Sequence, residues 1–277
     1  MHRLPSVSDT QLPSFDDLVE AEEVSIEGAG VLQAPPFAGS GGERTRERMV
    51  RIFDLAVCLL VLPAALLVGA VTALLIFIDS PGPVFFRSLR VGREGSEFEM
   101  LKFRKMHRAA RGAPLTTADD ERFTPIGRFL ALTKLDELPQ LWNVIRGEMR
   151  LVGPRPEVPE FVARYRDRYD EILTVLPGIT GPAAIEYSSE SHLLAVQNNP
   201  MSFYEEQLMP RKIDIDLAYV RGRSMRGDLA ILGRTALVPL AKVLRRLSRG
   251  QRIRRLELLL LASGILVVCV YAFAAGT

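Results

Sequence analysis

Two adjacent carboxylates, Asp136 and Glu137, stand in the run Lys134-Leu135-Asp136-Glu137-Leu138-Pro139-Gln140-Leu141-Trp142-Asn143-Val144-Ile145. Shortly after it, Arg155 is clasped between Pro154 and Pro156. Paired acids near a restrained guanidinium suit chemistry on a phosphate, because phosphoryl transfer asks mainly for charge neutralisation and positioning. An arginine stiffened by proline on both sides loses less entropy when its bidentate fork grips an oxyanion. Each feature alone is ordinary, since acidic helix starts and proline turns occur throughout proteins. Their closeness along the chain is what points to a phosphate site.

The elements that must hold these groups follow from spacing. Leu135, Leu138, Leu141 or Trp142, and Ile145 recur at helical intervals and give one apolar face. Pro139 fits only a first turn, where its missing N–H has no partner to lose. A helix is therefore predicted with Asp136 and Glu137 at or just before its N-terminus, where free N–H groups and the positive dipole end favour anions. Upstream, Pro83-Val84-Phe85-Phe86-Arg87 and Phe98-Glu99-Met100-Leu101-Lys102-Phe103-Arg104 flank Gly92-Arg93-Glu94-Gly95, a hairpin signal. On its second strand Lys102 and Arg104 share a face at period two. They are candidates to hold a diphosphate; a solvated strand edge is the plainer alternative. Residues 107–124 read as a polar surface loop. Downstream, a helix is expected from Pro156 to about Tyr169, with Phe161, Tyr165 and Tyr169 on one face. Leu176–Pro182 reads as a rigid loop, residues 188–200 as a polar loop and residues 203–221 as helix. Residues 228–248 form a basic amphipathic pattern, which suits an anionic membrane surface or a core-facing helix with a solvated basic side.

Hydrophobic residues make up 48% of the chain, and they concentrate in two runs. Leu55–Ile78 is uncharged over 24 residues, about 36 Å as helix against a hydrocarbon core of about 30 Å. Pro63 divides it into limbs of roughly 12 and 22 Å, neither of which spans alone. Arg44, Arg46, Arg48 and Arg51 precede the run and Arg87, Arg90 and Arg93 follow it. Positive charge on both sides suits a helix that dips into the membrane and returns; a kinked spanning helix is the rival. Leu258–Thr277 is uncharged over 20 residues behind Arg252, Arg254 and Arg255, and reads as a transmembrane helix with its N-terminal side in the cytoplasm.

The rest of the composition mostly excludes. Residues 1–43 hold eight acidic residues against one arginine and read as a disordered tail. Cys58 and Cys269 sit inside the apolar runs as filler, with neither a disulfide framework nor metal-ligand spacing. His2, His107 and His192 are scattered, so a histidine triad or a zinc site has little support. No groove-reading motif accompanies the basic residues, which argues against nucleic acid as a partner.

From about Arg44 to Leu240 the chain resembles the bacterial sugar transferase family, the monotopic polyprenyl-phosphate phosphoglycosyl transferases. The ordered series carrying the resemblance is the proline-broken apolar run, Pro81-Gly82-Pro83-Val84-Phe85-Phe86, Arg90-Val91-Gly92-Arg93, Lys102-Phe103-Arg104-Lys105-Met106, Leu135–Leu141, Val152-Gly153-Pro154-Arg155-Pro156-Glu157 and Pro177-Gly178-Ile179-Thr180-Gly181. The resemblance implies transfer of a sugar-1-phosphate from a nucleotide-diphosphate sugar to a membrane polyprenyl phosphate, starting a surface glycan. It implies Asp136 as the nucleophile forming a covalent phosphosugar adduct, with Glu137 taking a proton or helping to hold a metal. Mg²⁺ is the implied cofactor, with Asp136 as a ligand. Arg155, Lys102, Arg104, Lys134, Pro154 and Pro156 are the implied phosphate- and substrate-binding residues. Pro63 becomes the hinge of a re-entrant helix. An inactive membrane-anchored scaffold is the alternative reading.

The expected architecture is α+β and mostly helical. It comprises a disordered tail (1–43), a basic flank with the re-entrant helix (44–80), a cytoplasmic or interfacial catalytic domain with a small hairpin (81–250), and the C-terminal transmembrane helix (256–277). The expected place is a bacterial inner membrane, with the catalytic domain on its cytoplasmic face. Membrane lipid is an expected partner, and a homodimer is one expected assembly. Three departures stand out: Ala131 where many members carry arginine, Lys134 where serine is common, and Pro182-Ala183-Ala184-Ile185-Glu186-Tyr187 in place of a Trp-Ala-Gln-Val-Asn-type continuation. Lys134 is the candidate replacement for the lost cation.

Overall fold

The computed structural model describes residues 41–108, 110 and 115–235. Most of the acidic tail, the basic end of the 228–248 helix and the C-terminal apolar segment lie outside the described residues. The longest element is α1 (Gly41–Asp79), 39 residues assigned as one helix through Pro63, about 58 Å long. The helical assignment does not stop at the proline, which removes one donor from the ladder while its neighbours keep theirs. By length and composition α1 is able to cross a membrane.

One stripe of α1 belongs to the folded body. Val57, Cys58, Val61 and Ala65 are buried with Phe98, Met100, Val144, Met149, Leu151 and Val152. Further along, Ile76 packs with Phe103, Leu130 and Leu135. The opposite face is apolar yet exposed, with Leu67 at 70% and Ile78 at 68%. Polar groups pin both ends of the helix to the same body. Arg51 donates to the carbonyls of Val144 and Ile145, and Arg150 pairs with Asp54 at 3.3 Å while also holding Asp228 at 3.0 Å. At the far end Asp79 accepts from the Ile126 amide at 3.2 Å.

Strands β1 (Phe85–Val91) and β2 (Glu97–Phe103) form the expected antiparallel hairpin, with Phe85 opposite Phe103 and Val91 opposite Glu97. Helix α2 (Pro125–Thr133) starts on a Thr124 cap that accepts from the Gly127 amide. A 3-10 turn, Leu135–Glu137, carries the acidic pair, and α3 (Gln140–Arg146) follows directly, with Pro139 at its cap. Leu141, not Trp142, completes the packed face, and Trp142 is exposed. Asn143 fastens α3 to β2: it accepts from the Leu101 amide at 3.0 Å and donates to the Glu99 carbonyl at 2.8 Å.

Two short strands, β3 (Arg150–Val152) and β4 (Gly178–Thr180), pair in parallel, so the expected loop at 176–182 contains a strand. The helix expected from Pro156 is two, α4 (Pro159–Arg164) and α5 (Arg166–Ile172), parted at Tyr165. Phe161 and Tyr169 are nonetheless buried in one cluster, against which Tyr165 packs. After α6 (Pro182–Glu186), residues 188–200 are not wholly loop. They hold α7 (Glu190–Ala195), anchored by the buried Leu194. The helix expected at 203–221 is interrupted: α8 (Pro200–Phe203) passes through a π-helical turn, Tyr204–Leu208, into α9 (Met209–Gly222), which carries Pro210 in its first turn. A further helix runs from 225 to the last described residue, 235.

Replacing Asn143 with alanine removes the partner of the part-buried Leu101 amide and Glu99 carbonyl of β2, at about 1 kcal/mol each. Asn143→Ala is expected to lower the thermal unfolding midpoint of the purified protein by several degrees, whereas Trp142→Ala on the exposed side leaves it within about one degree.

Candidate active site

Asp136 and Glu137 share a turn but meet different partners. Glu137 Oε1 accepts from Arg155 Nη2 at 2.6 Å and from Lys102 Nζ at 3.3 Å. Burial alone would raise its pKa, but Arg155, Lys102 and Lys134 together hold it well below the usual carboxylate range. Glu137 in return raises the pKa of Arg155. Asp136 is only 1% exposed; its Oδ2 pairs with Lys105 Nζ at 3.1 Å, and its buried Oδ1 has no partner among the described residues. Gln140, fully buried one turn later, has no partner for either side-chain amide atom among the described residues.

The backbone around Arg155 is stitched on one side and ion-paired on the other. Gly153 donates to the Thr180 carbonyl at 2.9 Å, and Gly178 donates to the Pro154 carbonyl at 2.8 Å. The two segments lie so close that a Cβ built on Gly178 would land on the Gly153 amide. The Pro177–Gly181 motif therefore serves as a clamp on the arginine segment. Beyond Arg155, Glu157 is buried and ion-paired: Lys212 Nζ reaches its Oε1 at 3.2 Å, the Tyr204 hydroxyl donates to the same oxygen at 3.1 Å, and Arg90 lies at 3.5 Å from Oε2. Burial opposes its charge, but Lys212 and Arg90 outweigh burial and lower its pKa. Pro154 and Pro156 are themselves buried, as frame for the arginine.

The sequence-predicted residues are thus gathered in part. Asp136, Glu137, Lys102 and Arg155 meet. Lys134 caps α2 in a left-handed conformation (φ 61°) and is exposed; it acts on Glu137 through its charge rather than a bond. Arg104 diverges from Lys102. Strand β2 ends at Phe103, period-two alternation ends with it, and Arg104 turns to the Ser80 carbonyl. The cation on Asp136 is Lys105, which in the sequence stands only within a motif and carries no assigned role. Its presence beside three other cations was the sequence signal available.

Among the described residues no three His, Cys, Asp or Glu side chains gather as a metal cage. Mg²⁺ commonly binds through one or two carboxylates, with substrate phosphates and water filling its shell. Asp136, with one unpaired buried oxygen, fits that mode. Glu137 fits it less well, since one oxygen already serves two cations.

Burial pushes the Lys102 ammonium down to about 7 against the opposing pull of Glu137. The folded value is lowered, so Lys102 loses its charge as pH rises through about 7. Binding of an anionic substrate is expected to weaken across that interval in the wild type. In Lys102→Arg, whose guanidinium stays protonated, the same limb is expected to be absent. Titrations of substrate KM from pH 6 to 9 on both proteins check this.

The sequence pattern of the bacterial sugar transferase family matches residues 45–242. The chain is 38% identical over 176 residues to the UDP-glucose:undecaprenyl-phosphate glucose-1-phosphate transferase of Caulobacter vibrioides, covering 59% of each chain. It is 37% identical over 199 residues to the undecaprenyl-phosphate glucose phosphotransferase of Komagataeibacter xylinus, covering 66% of this chain and 34% of the relative. To the UDP-galactose-lipid carrier transferase of Erwinia amylovora it is 34% identical over 209 residues, 69% and 40% of the two chains. The chain therefore spans between about a third and three fifths of the length of these relatives. With that match running from α1 past the last described helix and enclosing the acidic pair, its cations and the glycine clamp, the chain belongs to the bacterial sugar transferase family.

Proposed function

We propose that this protein transfers a sugar-1-phosphate from a nucleotide-diphosphate sugar to a polyprenyl phosphate through an adduct on Asp136, so beginning a glycan. The observation that carries the reading is the setting of Asp136: a buried carboxylate with one unpaired oxygen, next to a carboxylate that organises two cations. The relatives' names supply the substrate classes, a UDP-sugar and undecaprenyl phosphate.

In the first step an Asp136 carboxylate oxygen bonds to the sugar-bearing phosphorus of the donor. The bond from that phosphorus to the bridging oxygen breaks, and the nucleoside monophosphate leaves with the electron pair. In the second step a phosphate oxygen of the polyprenyl acceptor attacks the same phosphorus. The bond to Asp136 breaks, and the free carboxylate returns. Splitting the transfer lets a soluble donor and a lipid acceptor use one centre in turn. Arg155 and Lys102 neutralise the diphosphate, and Lys105 holds the nucleophile. Glu137, held well below the usual carboxylate range, is a weak proton acceptor and so a positioning residue for Arg155 and Lys102. Asp136 would hold Mg²⁺ together with the substrate phosphates, and the ion when bound adds charge neutralisation there.

Helix α1 fits a re-entrant membrane element hinged near Pro63. Both its ends are tied to one body, and basic residues flank it on both sides, which favours a cytoplasmic location for the two ends. Its exposed apolar face is then the membrane-facing one.

Asp136→Asn is expected to lose at least about 10³-fold in turnover while unfolding at the wild-type temperature. Wild-type protein given a UDP-sugar alone is expected to gain the mass of a sugar-1-phosphate on the peptide containing Asp136. Turnover without any such adduct would overturn the covalent route. Lack of lipid-linked product from every donor tried would favour the scaffold reading.

A further inference from the structure

Arg104 is a buried cation lacking a counter-ion. It is 9% exposed; Nη2 donates to the Ser80 carbonyl, while the buried Nε and Nη1 have no partner among the described residues. No ion pair to Arg104 forms among the described residues. Burying a guanidinium away from water without a counter-charge is costly. Capping the end of α1 occupies one of its nitrogens and leaves two directed elsewhere. Such a group calls for an anion.

Its surroundings narrow the kind of anion. The Arg104 amide bonds the Val84 carbonyl at 2.8 Å, so the residue is tied to the loop that leaves α1. In that loop Gly82 has φ +139°, and a Cβ there would stand 3.0 Å from Arg104 Nη1. Glycine thus keeps a side chain from pressing on Nη1, while Pro81 and Pro83 stiffen the loop. The exposed Arg108 adds charge at the rim, its Cδ 3.7 Å from the same point. Apolar surface flanks the loop on both sides, with Phe77 and Ile78 before it and Phe85 and Phe86 after it, all exposed. A cation set into an apolar surface matches a phosphate carried on a hydrocarbon chain better than a soluble nucleotide diphosphate. Lys105, the next residue, is ion-paired to Asp136, so the loop is continuous with the reacting centre.

We infer that Arg104 is the phosphate-recognition point for the lipid acceptor, a polyprenyl monophosphate whose chain lies against Ile78, Phe85 and Phe86. The inference rests on the proposed transfer reaction and assigns one cation to the acceptor, distinct from the Lys102–Arg155 pair that serves the donor.

The test uses the full chain in lipid nanodiscs, with Arg104→Gln, Arg104→Lys and Phe86→Ser. Native mass spectrometry with a polyprenyl monophosphate is expected to show about tenfold weaker binding to Arg104→Gln and an intermediate loss in Arg104→Lys. Given donor alone, both variants are expected to form the Asp136 adduct to the wild-type extent. Transfer to the lipid then slows through a raised acceptor KM. Phe86 is exposed, so Phe86→Ser keeps the test open should Arg104→Gln fail to fold; it is expected to raise the acceptor KM and spare the adduct. Inorganic phosphate is expected to compete poorly. Competition as strong as that of the lipid would assign the site to free phosphate and overturn the inference. Adduct formation lost in parallel with transfer would place Arg104 with the donor, and unchanged acceptor binding in both variants would also overturn it. Absence of an adduct in the wild type counts against the covalent reaction alone, since the binding measurement stands independently.

Discussion

Glu137 lies between Arg155 and Lys102, and this shared carboxylate is the constraint around which the molecule is arranged. Without it two half-buried cations would face each other at close range, where like charges repel. With it they form a fixed positive pair beside Asp136. The protein offsets the cost of burial by pairing, and it leaves one Asp136 oxygen without a partner among the described residues. The two acids are therefore not equivalent. Among the described residues, Glu137 holds two cations, while Asp136 pairs with Lys105 through one oxygen and has no partner on the other.

Three parts of the chain far apart in sequence must converge for this to happen. Lys102 and Lys105 come from the end of the hairpin, the acids from the turn before α3, and Arg155 from the segment after β3. Asn143 joins the first two by bonding α3 to the β2 backbone. The third is fixed by the pairing of β3 with β4 and by the bare glycine backbones that permit it. Glu157, gripped by Lys212, Tyr204 and Arg90, extends the same alternation of charges toward α9. Each link is modest alone. Because they share members, loss of one disturbs several, which is the usual behaviour of buried polar networks.

Helix α1 contributes to the fold as well as to the surface. Its buried stripe supplies core residues on which β2, α3 and β3 rest. Its other face stays apolar and open. Removing a helix of this kind would take away part of the core, so a version of the domain cut free after residue 80 would start with a missing wall. The one helix among the described residues long and apolar enough to cross a membrane is thus also a wall of the core.

Much was legible from the chain itself. Alternation and a glycine turn specified the hairpin, and Pro139 with its helical leucines specified where the acids fall. These are local rules, because strand period and proline geometry act within a few residues. The ordered motifs also specified the family. What the chain could not specify was which cation meets which acid. Lys102 and Arg104 looked equivalent by parity, but β2 ends between them, and the backbone after Phe103 sends Arg104 to Ser80 and Lys105 to Asp136. The glycine clamp was likewise hidden, since Gly153 and Gly178 meet only once β3 and β4 pair across 25 residues of intervening chain. Spacing encodes contacts along one element; contacts between elements depend on where each one stops, and packing against the rest of the core decides that.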